Sequence, residues 1–215
     1  MNAEELRTLL DDALISMEAS RDELRDLDAA LGDGDLGITV SSGAQAVREG
    51  LRELSADASI ADVLRVAGQR FASANPSTMS ALVAGALFAA AKKVGDRSSL
   101  DREGGVLVLE AATSAIQSRG GAELGDKTIV DALYPTLEAL RVAGPDNRAA
   151  LATMIDVARQ AVADTALLQS RRGRAAWIGD RTIGHPDGGA TAYLRLLEAI
   201  FRAMGHGGVV GEASA

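Results

Sequence analysis

The chain has 215 residues, enough to bury a sizeable core, and carries a formal net charge of −8 with no cysteine. This excludes disulfides, thiolate metal sites and cysteine nucleophiles, and argues against a broad nucleic-acid or anionic-membrane surface. Apolar residues make up 47% of the chain but aromatics only 3%, so the core must be built from Ala, Leu and Val, which favours helices over sheets.

The first residues, MNAEELRTLLDD, are acidic and amphipathic, unlike a basic run followed by an apolar block. No stretch approaches the roughly 18 uninterrupted apolar residues of a membrane span, and a cytoplasmic protein is expected. Leu6, Leu9, Leu10, Ala13, Leu14 and Met17 recur at steps of three and four, and Leu24, Leu27 and Leu31 continue the stripe. The spacing predicts one long amphipathic helix running to a glycine loop.

That loop lies in LDAALGDGDLGITVSS, residues 27–42, with Asp28, Asp33 and Asp35 inside eight residues. Carboxylates so close repel one another unless a cation or a shared proton compensates, and hard oxygen donors suit Mg2+ or Ca2+ better than zinc. A calcium-binding helix-loop-helix reading fails: counted from Asp33, Gly37 is at the fifth position and Ala44 at the twelfth, where a bidentate glutamate belongs. Gly32, Gly34 and Gly37 let the backbone turn tightly before a new apolar-periodic segment, an arrangement able to hold metal-bound phosphate at a helix start.

Further helices are predicted near 39–54, 59–74, 79–94, 103–118, 128–143, 147–169 and 188–204, for a total of about eight with no strand. An antiparallel helical bundle or a closed helical barrel is expected, as one domain over 1–205 with a frayed tail at 206–215. Within SRGGAELGDKTIVD, residues 118–131, Gly120 and Gly125 imitate a P-loop, but Asp126 stands where the lysine should follow and no buried strand precedes. Asp126 is expected to cap the helix beginning near Thr128. In RRGRAAWIGDRTIGHPDGGA, residues 171–190, Arg171, Arg172, Arg174 and Arg181 are candidates for bridging phosphate oxygens. Trp177 and Ile178 offer this long loop something to bury. His185 reads more simply as a packing or hydrogen-bonding residue than as a catalyst, and Asp187 with two glycines opens the last helix.

Taken together, GDGDLG at 32–37, RGGAELGDKTIVD at 119–131 and GRAAWIGDRTIGHPDGGA at 173–190 resemble, in order and spacing, the ADP-binding L subunit of bacterial dihydroxyacetone kinases. The resemblance implies a closed barrel of eight antiparallel helices in which Asp28, Asp33 and Asp35 hold two Mg2+ ions on the phosphates of ADP or ATP. It implies that Leu36, Gly37, Ile38 and Thr39 form the phosphate-facing turn and that Gly120 and Ile129 flank adenine. Arg174, Asp187, Gly188 and Gly189 would complete a lid. In Thr78-Met79-Ser80-Ala81-Leu82, Ser80 would contact phosphate, with Ala81 where glycine is usual; Leu36 stands where histidine is common.

The implied activity is phosphoryl transfer to a short ketose held covalently by a separate K subunit, so this chain alone would be half an enzyme. The phosphate would come from exchanging ATP, or from a phosphotransferase-system phosphocarrier acting on bound ADP. A kinase module for another acceptor, a four-carbon ketose or a fatty acid, is the alternative reading, followed by a nucleotide-loaded regulator that binds a transcription activator.

Overall fold

A computed structural model describes residues 1–206. Among these, nine α-helices and one 3-10 helix form, with no strand: α1 (Ala3–Ala19), α2 (Arg21–Ala29), α3 (Leu36–Arg52), α4 (Ile60–Ala74), α5 (Thr78–Val94), α6 (Arg102–Gly120), α7 (Val130–Val142), α8 (Asn147–Thr165), a 3-10 helix (Arg174–Thr182) and α9 (Gly188–His206). The expected frayed tail lies, beyond His206, outside the described residues. No described helix is long and apolar enough to cross a membrane.

Packing follows chain order: α1 lies on α3, α3 on α4, and so on through α8 on α9, while α9 returns to α1. Eight helices therefore close a ring, and the expected closed barrel is what the chain builds. Neighbours run antiparallel, as the α1–α3 seam shows: Arg7 donates to the Leu54 carbonyl, while Arg48 pairs with both Asp11 and Glu18. Small residues let these helices approach. The interior between α6 and α9 is filled by Ala86, Ala132, Ala158 and Ala190 beside Ile116, Leu133, Leu194 and Leu197, and the other half by Val47, Leu51, Ile60, Val63, Ala67 and Ala90.

The predicted single long first helix is two helices. The chain breaks at Ser20, and α2 leaves the ring to cover the seam between α3 and α9. Leu24 drives this turn, for it is fully buried in a cluster with Leu36, Val40 and Ala192. Gly37 permits it, because a Cβ there would lie 2.1 Å from the Arg21 carbonyl oxygen, so α2 could not come this close to any other residue. Arg195 on α9 grips Glu23 on α2 through two hydrogen bonds of 2.8 and 2.6 Å.

Candidate functional site

An up-and-down ring puts the N-termini of alternate helices at the same end, so α3, α5, α7 and α9 all begin there. Each such terminus carries about half a positive charge and N–H groups without intrahelical partners. Contacts between chain segments far apart confirm the convergence. Asn75, before α5, donates to the Thr39 hydroxyl on α3 at 2.8 Å. A Cβ on Gly188 would lie 2.7 Å from the Leu36 side chain, and one on Gly189 would lie 3.4 Å from Ile129 Cβ. Gly120 at the end of α6 faces Leu82 on α5. A cavity of about 740 Å³ lined by Met1, Leu100, Arg102, Asn147 and Met204 lies at the opposite end and contains none of the candidate residues.

Asp28, Asp33 and Asp35 meet at this end, each offering a carboxylate oxygen within 4.8 Å of the others. Asp28 comes from the last turn of α2, and the turns at Gly32 and Gly34 bring the chain back; Gly34 has a φ of +76°. Asp35 occupies the N-cap of α3 yet makes no capping hydrogen bond, which leaves its carboxylate to the cluster. Burial and then the charge of Asp33 push the Asp35 carboxyl up, whereas the Arg174 guanidinium holds Asp33 below the usual carboxylate range. Arg174 bonds Asp33 and reaches Asp35 at 3.4 Å, across some 140 residues of sequence. Three hard oxygen ligands, mutually repelling and approached by a cationic side chain, fit a divalent cation.

Several candidates have roles in the fold. Leu36 is buried with Val40 and Ala192 and touches the start of α9, so its side chain is a packing residue. Gly37 lies under α2, the Thr39 hydroxyl accepts from Asn75, and Ile38 alone of this turn is exposed, at 43%. Of the backbone N–H groups of this turn, that of Leu36 lies 3.4 Å from an Asp28 carboxylate oxygen and that of Thr39 donates to the Asp35 carbonyl, which leaves those of Gly37 and Ile38 as the first-turn donors without an intrahelical partner. Ser80 is 1% exposed, and its hydroxyl accepts from Ser77 N–H at 2.7 Å and donates to the carbonyls of Asn75 and Ser77. That bonding saturates it as half of a capping box, so any phosphate contact from α5 falls to the backbone at Thr78 and Met79. Ala81 is exposed on the same turn.

Two further expectations are corrected. Asp126 does not cap α7: its carboxylate accepts from Glu123 N–H and Arg172 Nε, and the helix start is tied instead by Asp131, which accepts from Gly125 N–H at 2.6 Å and Thr128 N–H at 2.7 Å. Trp177 does not bury the long loop; it is 88% exposed. Thr182, which is fully buried, anchors the loop in its place: its hydroxyl accepts from Ser170 N–H and donates to the Gly179 carbonyl. Sequence reasoning also passed over Lys127, whose ammonium is buried between two carbonyl groups.

Asp187 caps α9 by accepting from Ala190 N–H at 2.7 Å, and its own N–H donates to Thr165. Burial pushes its carboxyl up to about 6, with Asp131 adding repulsion. A carboxyl raised from its ordinary value stabilises the fold below about pH 4 and loses that contribution as pH rises through 6. Asp187→Asn keeps an acceptor for Ala190 without the charge. We expect it to be more stable than the parent at pH 7, by about 3 kcal/mol at most, and to flatten the stability change between pH 4 and 6. Urea melts across that range measure it, and parallel curves for the two proteins would contradict it.

The DAK2 domain matches residues 30–202, a span that includes Asp33 and Asp35 and starts just past Asp28. L-erythrulose 1-kinase of Mycolicibacterium smegmatis is 37% identical over 181 residues, which are 83% of this chain and 32% of that protein. The ADP-binding subunit DhaL of the PEP-dependent dihydroxyacetone kinase of Escherichia coli is 32% identical over 82% of this chain and 85% of its own length. Subunit DhaL of the PEP-dependent dihydroxyacetone kinase 1 of Listeria innocua is 31% identical over 86% of this chain and 89% of its own length. Among solved structures, the dihydroxyacetone kinase of C. freundii superposes with a TM-score of 0.74 at 24% identity, over 93% of this chain and 34% of that one, a likeness of fold. The chain thus spans about a third of the larger kinases and most of the DhaL subunits. It belongs to the DAK2 domain family, with DhaL-type ADP-binding subunits among its relatives.

Proposed function

We propose that this chain is the nucleotide-holding subunit of a short-ketose kinase: it binds ADP or ATP with Mg2+ and presents the phosphoryl group to a ketose carried on a separate K-type subunit. The observation that carries this reading is the meeting of Asp28, Asp33 and Asp35 at the end of the barrel where four helices begin. The three carboxylates would hold two Mg2+ ions, whose role when bound is to neutralise phosphate oxygens and align donor with acceptor. The backbone of Leu36, Gly37, Ile38 and Thr39 and the N–H groups of Thr78 and Met79 at the start of α5, on the turn shared with Ser80 and Ala81, would receive the phosphates. Gly120 and Ile129 would flank adenine. Arg174, with the helix start at Asp187, Gly188 and Gly189, would close over the nucleotide, since Arg174 already reaches the aspartates.

The names of the relatives support this. Two are ADP-binding subunits of dihydroxyacetone kinases, and the C. freundii enzyme is also known in complex with AMP-PNP and Mg2+. A four-carbon acceptor is the second reading, favoured by the L-erythrulose 1-kinase relative at 37% identity and a D-erythrulose kinase at 36%. The PEP dependence of the kinases to which the DhaL relatives belong favours bound ADP recharged by a phosphotransferase-system phosphocarrier over exchanging ATP. Such chemistry belongs in the cytoplasm. The docking face would be the nucleotide end, where Trp177 and Ile38 stand exposed at 88% and 43%.

Mg-ADP should bind, raise the melting temperature in proportion to its excess over Kd, and change Trp177 fluorescence as the loop closes. Native mass spectrometry, a thermal melt and a fluorescence titration read the three effects. A protein that neither co-purifies with nucleotide nor responds to Mg-ADP would contradict the proposal.

A further inference from the structure

Lys127 carries two local costs at one position. Its φ is +61°, the only positive value at a non-glycine among the described residues, in a region that side chains other than Asn or Asp seldom visit. Its side chain is also 2% exposed, although lysine is among the residues least often buried. Its bonded acceptors are neutral: Nζ donates to the carbonyl oxygens of Leu168 at 3.0 Å and Thr182 at 2.5 Å. Residues held under such strain persist only where their surroundings over-determine them, and they cluster at functional sites.

The two acceptors indicate the purpose. Leu168 and Thr182 bracket the segment 169–181, which carries Arg174 and Trp177, so a single ammonium joins the two ends of that loop. The residue before Lys127 fastens the same neck: the Asp126 carbonyl accepts from Arg171 N–H at 3.1 Å, and its carboxylate accepts from Arg172 Nε at 2.7 Å. Further out, Arg174 makes the loop's contact with Asp33 and Asp35. We propose that Lys127 is a positioning residue for nucleotide closure, clamping the neck of the 169–182 loop so that Arg174 is delivered to the phosphate end of the site. This rests on the nucleotide-binding reading above, and Lys127 acts through Arg174 without touching the nucleotide. Without the clamp, the loop must be ordered at the moment of binding, and affinity falls by the fraction of molecules in which it is in place.

The test uses two variants of the full chain. Lys127→Met keeps the bulk and the left-handed backbone; Lys127→Gly relieves that backbone and so opposes any unfolding, while both remove the ammonium. Both should speed hydrogen exchange of amides in 169–182 by about tenfold or more with the barrel helices unchanged, and both should weaken Mg-ADP binding. In an Arg174→Ala background, Lys127→Met should weaken Mg-ADP little further, because the two residues act in series. Parent-like exchange of the loop in both variants, or fully additive losses with Arg174→Ala, would overturn the proposal. If the parent itself fails to bind Mg-ADP, the nucleotide reading falls, while exchange in 169–182 still decides whether Lys127 clamps the loop.

Discussion

Asp33→Ala should bind Mg-ADP well over tenfold more weakly than the parent while melting at nearly the same temperature without ligand. The affinity loss follows from the cluster: removing one of three carboxylates leaves two to coordinate ions that must also neutralise a diphosphate, an interaction worth several kcal/mol in comparable sites. Unliganded stability is spared because Asp33 is exposed and its partner Arg174 is more than half exposed, and ion pairs in that setting contribute little to folding. The combination separates a ligand from a structural residue. Calorimetry with Mg-ADP and a thermal melt on the same preparation measure both quantities; unchanged affinity would move the metal-phosphate site elsewhere.

The helices were legible because each shows its buried face as a stripe. The α4, α5 and α8 starts fall within one residue of the predicted positions, each announced by a Ser or Asp cap. The break at Ser20 was not legible, since Leu24 and Leu27 continue the period of α1 and only a tertiary event, the burial of Leu24 against α3 and α9 that Gly37 permits, redirects the chain. The acidic cluster could be read because its three members lie within eight residues and repel. Arg174 closing on it from a segment some 140 residues away depends on how the ring closes, which periodicity does not encode.

The capping role of Ser80 was not legible because its capping box has serine, not glutamate, at the third helical position and so lacks the usual sequence form. Asp126 resembled a helix cap because its neighbours are those of one, yet its carboxylate is taken by Arg172 from the loop. Lys127 left one signal that went unused: it is one of three lysines in a chain whose other cations are arginines, and it alone sits between turns rather than at a helix end.

The second large effect concerns partnership. The described barrel offers one end rich in helix N-termini and acidic ligands, and among the described residues its histidine with characterised surroundings is His185, exposed beside the loop. On the proposed reading the acceptor arrives on another surface, that of the K-type subunit. With a net charge of −8, the chain would favour a partner that brings cationic or hydrogen-bonding groups to the proposed metal-phosphate end. The most direct measurement is a coupled assay of sugar phosphorylation with the purified chain, Mg2+ and nucleotide, run without and with K-type subunits and with dihydroxyacetone and erythrulose as acceptors. The account predicts no turnover by the chain alone and turnover once a matching K-type subunit is supplied; phosphorylation of either sugar by the chain alone, or silence with every K-type subunit tried, would contradict it.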